Sequence, residues 1–559
     1  MKRLLTLAFS LLLAVTARAT TYNVSTISEI EGRINGTNGY VQLGSSQADT
    51  MNITTNAPTG SWTGTELTET LTIVPINPVT INGPGKTSQM ASWRPMTTDG
   101  THTALVTISN LNTVRLTANA TISWVAPANC DCTITNCVFS AGGLTASSDL
   151  VDFTQVGPVQ TQEIDNTELN GTNTGANVLS ATAGTGSVVR YVNVNNCYIH
   201  GNGPASNSEC VITHGWVDMN CTNCTVDATG STAGPCVAPG SAGSPTRTAQ
   251  IYIKGGTYTD GNSTSANGAY QIVGTSASPV VINAKTQWQI AYLMQYCNFK
   301  AAGVNAYCTM GISTITDTPV VKACTFDFGG IAAARMVRGG LYNYSVLDSY
   351  FFNSTANYGC IYDNNTTYPL TVTVVNCRFS GVYYAVECYA IGGTIYSRNN
   401  IGSAWNSGGA MYHSVSGTTW NCDYDCCPNT YSNGTAAPSR GAHSVTASPS
   451  LDGDGYPTAS GNCQGTGLYN ATGIESTDLN GANRVHTTTC NMGPLEWRYK
   501  YNNTSGYSVN TSANWTGQGG ASNSEPGSGE LGLILSGQWA NAGTCAANLW
   551  VYGTIAGAN

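Results

Sequence analysis

The stretch that decides the fold is VVNCRFSG, residues 374–381. It reads as a short strand running into a glycine turn, with Cys377 and Phe379 on one side and Asn376 and Arg378 on the other, since successive strand side chains alternate. The phrase recurs. TNCVFSAGG stands at 135–143, NNCYIHGNG at 195–203, TNCTVDATG at 222–230, QYCNFKAAG at 295–303 and KACTFDFGG at 322–330. In LDSYFFNST (347–355) Ser349 takes the cysteine's place, and in KGGTYTDGN (254–262) Gly256 does. From Cys297 the steps to Cys324, Ser349 and Cys377 are 27, 25 and 28 residues; a degenerate copy, DNTELNG at 165–171, fills one of the longer earlier steps. A period in the twenties built of strands and turns is the signature of a solenoid.

One rung of three short strands cannot bury its own inner face, so rungs stack. Each strand then lies ~4.8 Å above its equivalent. The inner column becomes Cys297, Cys324, Ser349 and Cys377 beside Phe299, Phe326, Phe351 and Phe379. Such ladders suit a parallel β-helix. About 13 rungs are expected between residues 75 and 420, a rod of ~60 Å at that spacing. An open coil needs a cap. TISEIEGRI (26–34) supplies one, with Thr26 and Glu29 as a capping box and Ile30 and Ile34 on one helical face. PVTINGPG (78–85) then reads as an early strand and turn.

Composition bounds the rest. Charged residues make up only 9% of the chain, against a usual ~25%. The apolar share of 41% is too high for a disordered chain. MKRLLTLAFSLLLAVTARA has a basic start, a short apolar run and a small-x-small end, which is the pattern of a secretory signal peptide. Losing Lys2, Arg3 and Arg18 takes the net charge from −9 to −12. That acidity excludes nucleic acid and anionic membrane surfaces as partners. No later run is long enough to span a bilayer. The expected product is secreted or displayed at the cell surface, as a monomer.

The closing region carries a resemblance. STDLNGANRVHTTTCNMGPLEW (476–497) is similar to the closing motif of secreted right-handed parallel β-helix proteins of the pectin-lyase-like fold, with Thr477, Asp478, Gly481, Arg484, Gly493, Glu496 and Trp497 matching and Pro494 replacing the usual alanine. The resemblance covers roughly residues 20–500 and implies an all-β right-handed parallel β-helix. The chain then divides into a signal peptide (1–19), an N-terminal cap with first strands (20–75), rungs (76–440), a closing segment (441–500) and a β-rich tail (501–559), with LGLILSGQW (531–539) as strand.

Twenty cysteines in an exported chain favour disulfides. Counting eleven residues on from the repeat cysteine puts Cys360 and Cys388 on adjacent rungs, and similar counting pairs Cys210 with Cys236. Disulfides and stacked buried thiols both fit these pairs. Cys463 and Cys490, in the closing region, read as bonded. The same counting turns Arg338 and Asp363 outward as neighbours, with Glu387 and Tyr389 one rung on; it also turns Arg335 inward, and a one-residue slip would bury Met336 instead.

In β-helix enzymes acting on acidic polysaccharides, the resemblance implies that outward carboxylates hold calcium or act as acids while Arg or Lys clamps the uronate. Arg338, Asp363, Glu387 and Tyr389 are the candidate ligand-binding set, against the plainer reading of a surface ion pair. The hydrolase motifs of the fold are absent: Asp165-Asn166-Thr167 has the wrong order and His214-Gly215 lacks a preceding glycine. No carboxylate pair has glycosidase spacing. NCDYDCCPN (421–429) has poor zinc spacing, DGDG (452–455) lacks a calcium loop's closing Glu, and His200 and His214 stand alone. No metal or cofactor is expected, and nothing in the sequence supports calcium. Two functions remain. One is a β-helix that interacts with an extracellular polysaccharide and, if it is an enzyme, cleaves it as a lyase or glycoside hydrolase. The other is a non-catalytic structural or adhesive rod.

Overall fold

A computed structural model describes residues 19–54, 71–86, the strands and most of their connections from 92 to 451, parts of 455–495, and strand backbone beyond 498. The stretches left out are mainly 55–70, 87–91, 116–121, 125–130, 142–148, 155–160, 172–176, 184–188, 202–209, 230–234, 241–248, 262–265, 312–317 and 364–368. The expected signal peptide, Cys130 and Cys545 lie outside the described residues. The chain is nearly all parallel β, a β-solenoid of about 11 turns with one helix, somewhat fewer turns than the repeat count predicts. It falls into two compact units, one ending at Ala269 and the other beginning at Tyr270.

In the first unit the helix Ile27–Asn35 opens the coil. Thr26 Oγ1 accepts from Glu29 N at 3.2 Å, Glu29 Oε2 accepts from Ser25 N at 3.0 Å, and Gly36 ends the helix at φ 70°. Ile30 and Ile34 are buried beneath it. Strands then stack in parallel from Asp49–Ile53 through Val79–Asn82 and Val106–Ser109 to Val217–Asp227 and Gln250–Thr259. A separate seven-stranded sheet gathers another side of the rungs, from Leu71–Ile73 to Val237–Gly240.

The repeated phrase marks the corner between two strands. Asn136, Asn166, Asn196 and Asn223 adopt φ of 45–53°, the left-handed conformation that Asn tolerates better than other side chains. Their amides form a ladder up the corner: Asn110 Nδ2 to Asn82 Oδ1 at 2.7 Å, Asn136 to Asn110 at 2.5 Å, Asn166 to Asn136 at 3.2 Å. The residue after the turn caps it. Cys137 Sγ donates to Thr135 O at 3.2 Å, Cys197 Sγ to Asn195 O at 3.1 Å, and Cys224 Sγ to Val194 O at 3.2 Å. A buried backbone carbonyl needs such a partner. Thr167 does the same in the degenerate rung, donating to Asp165 O at 2.8 Å. The cysteine is therefore a small buried donor, which explains why Thr and Ser replace it.

The second unit repeats the device. Tyr296, Ala323, Asp348, Asn376, Asn399 and Tyr424 occupy the left-handed corner. Cys324 and Cys377 cap Lys322 O at 3.2 Å and Val375 O at 3.4 Å, and Ser349 Oγ caps Leu347 O at 2.7 Å. Burial pushes the Cys324 thiol up to about 12, so it remains a donor. Beside this column the rings of Phe299, Phe326, Phe351 and Phe379 stack at centroid distances of 5.7, 4.6 and 5.2 Å. Asn376 departs from the alternation expected of it. It is fully buried at φ 55° because it is the hinge rather than an outward strand residue.

The closing segment docks on these corners. Arg484 is wholly buried; its Nη2 reaches Asp348 Oδ1 at 2.6 Å and Pro494 O at 3.1 Å, and its Nη1 reaches Gly493 O at 3.1 Å. Asn399 exchanges two hydrogen bonds with the Leu468 backbone, at 2.8 and 3.0 Å. Leu347, Val375 and Ala471 pack together. Past the closing segment, Tyr499–Tyr501, Trp515–Gly517, Leu531–Ile534 and Asn548–Val551 form a four-stranded sheet, so the tail is β-rich.

The cysteines differ from expectation. Cys463 bonds to Cys426, not Cys490, since Cys426 stands opposite Ile401 just past the last corner and Cys463 packs into the same cluster. Cys490 is a buried thiol outside any disulfide, as are Cys210, Cys236, Cys360 and Cys388. Cys210 and Cys236 do stand in the same register, just before the paired Val211 and Val237, but as thiols.

Candidate aromatic binding face

The candidate set lies on the second strand of the last rungs, within the second unit. Phe351 pairs with Phe379, a step of 28. Tyr362 pairs with Glu387, a step of only 25. Between these points the earlier rung spends residues 353–358 on its turn, while the next spends only 381–383. Three residues of slip follow, and every count carried across the turn shifts with them. The column is Thr309, Arg338, Tyr362, Glu387, His413.

One rung earlier Arg338 pairs with Tyr362, a step of 24 where Phe326 to Phe351 is 25, and this one-residue slip takes Asp363 off the face. It is opposite Cys388 and buried, with Gly339 and Tyr344 against its carboxylate side; a Cβ on Gly339 would lie 3.3 Å from Asp363 Oδ1 and 3.0 Å from Tyr344 Cε1. Arg338 is half-buried and opposite Tyr362 rather than Asp363. Cys360 falls opposite Ala385, between the paired Gly359–Tyr384 and Ile361–Val386, so it cannot meet Cys388. Of the expected four residues, Glu387 and Tyr389 are brought together, Arg338 stands in the same column opposite Tyr362, and Asp363 is turned inward opposite Cys388.

The cation of the face is Arg335, which is half-buried while Met336 is buried. Its guanidinium lies 3.7 Å from the Tyr362 ring centroid and 4.8 Å from that of Tyr358, a cation–π arrangement on two rings. Tyr389 tilts against Tyr362 at 5.9 Å. His413 stacks on Tyr384 at 4.3 Å and meets Tyr389 edge-on at 5.9 Å. Tyr358 and Tyr389 remain 45% and 36% exposed, so ring surface is presented to solvent.

Glu387 is the acceptor of the group. It is buried, and its Oε2 accepts from Gly359 N at 2.7 Å. Burial, then the Glu387 charge and hydrogen bond and the Tyr362 neighbour, push the Tyr389 hydroxyl up to about 12, against the opposing pull of Arg335. Burial and the Tyr383 hydrogen bond push Tyr384 up to about 12 as well. Both hydroxyls stay protonated at neutral pH and act as donors, not bases. The His413 Nδ1 is buried with no hydrogen-bond partner among the described residues. Arg335 was expected inward, and Tyr358, Tyr362, Tyr384 and His413 were not among the expected residues of the face. The one signal for them was the tyrosine density of GVYYAVECY (381–389) and NYGCIY (357–362).

Elsewhere, His200 Nε2 meets Glu168 Oε1 at 3.1 Å and stacks on Tyr198, and burial holds His214 below its usual range. In the cysteine cluster Asp425 is buried and Asp423 holds the His443 ring at 2.7 Å. Among the described residues no group of three His, Cys, Asp or Glu stands as metal ligands would, and no helix is long and apolar enough to cross a membrane. No family model, curated protein or solved structure matches this sequence.

Proposed function

We propose that this chain is a secreted, monomeric β-solenoid, of the pectin-lyase-like kind its closing motif resembles, that holds an extracellular polysaccharide on the aromatic face of its second unit. The observation that carries the reading is the convergence of Tyr358, Tyr362 and Tyr389 with Arg335 and the buried Glu387 on one outward surface. Flat rings offer a stacking platform to the apolar faces of sugars, and a few fixed polar groups orient the hydroxyls. Binding is the favoured activity over hydrolysis, because the face presents one carboxylate, Glu387, where a glycosidase uses two.

The test is a glycan array and a lyase screen on the mature protein and on a Tyr358→Ala, Tyr389→Ala double variant. Specific glycan signals that the double variant loses at an unchanged melting temperature support the reading. A blank array, or equal signals from both proteins, sinks it and leaves the structural or adhesive rod, for which the regular corner and Phe columns speak.

A further inference from the structure

A groove of about 570 Å³ opens elsewhere in the second unit, where the outward faces of Thr371–Val375, Thr394–Arg398 and Thr419–Asp423 meet the closing segment. The size falls within the ~300–1,000 Å³ of small-ligand sites. The register sets its floor. Thr373, Tyr396 and Asn421 form one outward row across three rungs, and Val375, Arg398 and Asp423 form the next. The wall is Leu468, Asn470 and Ala471, fixed by the paired hydrogen bonds of Asn399 to Leu468 and by the packing of Ala471 on Val375.

Arg398 is the notable group. Its Nη1 donates to Ser397 O at 2.7 Å and to Asn421 O at 2.5 Å, and its Nη2 donates to Asn421 Oδ1. These partners are neutral oxygens and hold the guanidinium by its end. The side edge, Nε–H with the second Nη2–H, makes no hydrogen bond to a described residue. Asp423, its neighbour across the rungs, is engaged instead by the His443 backbone and ring and by Tyr424 N. A fixed guanidinium with one free edge and no carboxylate on it is a fork for an oxyanion. Two residues along the same face, hence ~7 Å away, the Tyr396 ring is 42% exposed. Thr373, Asn421 and Asn470 add uncharged polar groups around it.

We propose that this groove binds an oxyanion-bearing saccharide unit, with the carboxylate or sulfate on the free edge of Arg398 and the sugar ring on Tyr396. The site is separate from the aromatic face and does not depend on it. Isothermal titration of the mature protein with short hexuronate, sulfated and neutral oligosaccharides of equal length tests it. The charged oligosaccharides bind at least tenfold more tightly than the neutral one, and the carboxylated and sulfated arms tell which oxyanion is preferred. Arg398→Lys, which keeps the charge and loses the fork, weakens binding tenfold or more. Tyr396→Ala, at an exposed ring that leaves the Arg398 bonds intact, does likewise at an unchanged melting temperature. The Tyr358→Ala, Tyr389→Ala variant binds within twofold of the parent here, so loss of the aromatic face and loss of this groove are told apart. Equal affinity for neutral and charged chains, full binding by Tyr396→Ala, or loss of binding in the aromatic-face variant overturns the proposal.

Discussion

The corner column and the aromatic face belong to the same rungs, yet they obey different rules. At the corner, a left-handed hinge, a small capping donor and a phenylalanine follow one another without a break, as in Asp348-Ser349-Tyr350-Phe351 and Asn376-Cys377-Arg378-Phe379. Nothing can be inserted there without moving an inward side chain outward, so the spacing holds. The face lies beyond a turn of variable length, where a three-residue difference passes unnoticed by the core. Repetition supplies the scaffold, and irregular turns decide which side chains meet on its surface.

The heaviest blow to the corner is expected from Arg484→Met. It takes the guanidinium away from the buried Asp348 carboxylate and costs ~3–5 kcal/mol, read by urea unfolding. Adding Asp348→Asn recovers much of the loss, because asparagine is the residue other corners carry at that hinge. No recovery would mean that the ion pair is not what ties the closing segment down.

The column ends in polar residues. Asn400 and Asp425 follow the hinges Asn399 and Tyr424 where cysteines stand in earlier rungs. Asp425 Oδ2 accepts from Tyr412 OH at 2.7 Å, and Oδ1 from Asn400 N at 3.0 Å. Burial nevertheless pushes its carboxyl up to about 6. A folded value above the unfolded one means that the stability linked to this proton is complete below about pH 4 and is lost as pH rises through about 6. The expected fall is ~3 kcal/mol. Asp425→Asn should flatten that slope in a stability-versus-pH series; an unchanged slope would locate it in another group.

Cys377→Ala removes the cap on Val346 O and Val375 O, both at 3.4 Å, and should cost ~1–2 kcal/mol. Cys377→Ser should cost less, because Ser349 performs the same service one rung earlier. Equal losses for the two would refute the capping role. The aromatic face should respond least. Tyr358→Ala is expected to change stability by under ~0.5 kcal/mol while lowering glycan affinity, since its ring is half in solvent.

Legibility followed the same division. Alternation and the repeat were enough to stack Phe299, Phe326, Phe351 and Phe379 and to bury Cys297, Cys324, Ser349 and Cys377. The capping box at Thr26 and Glu29 was legible because its bonds are local. Glu387 and Tyr389 were expected side by side, and the Tyr389 hydroxyl does hydrogen-bond Glu387, because two residues on one strand end need no count across a turn. Arg338 kept its outward place, but Asp363 was displaced by a one-residue slip and the Cys360–Cys388 pairing by a three-residue difference in turn length, and Cys426 was not recognised as the partner of Cys463 because 37 residues of irregular chain separate them.

By itself, then, the sequence determined that the chain coils, how far apart its rungs lie and which residues line the inside, because those follow from local alternation and a regular period. Only the tertiary structure decided that Asn376 is a hinge, that Arg335 rather than Arg338 meets the tyrosines, and that Arg398 keeps a free edge beside a groove. Those outcomes depend on turn lengths and on a closing segment that folds back onto distant corners, and neither leaves a periodic trace in the chain.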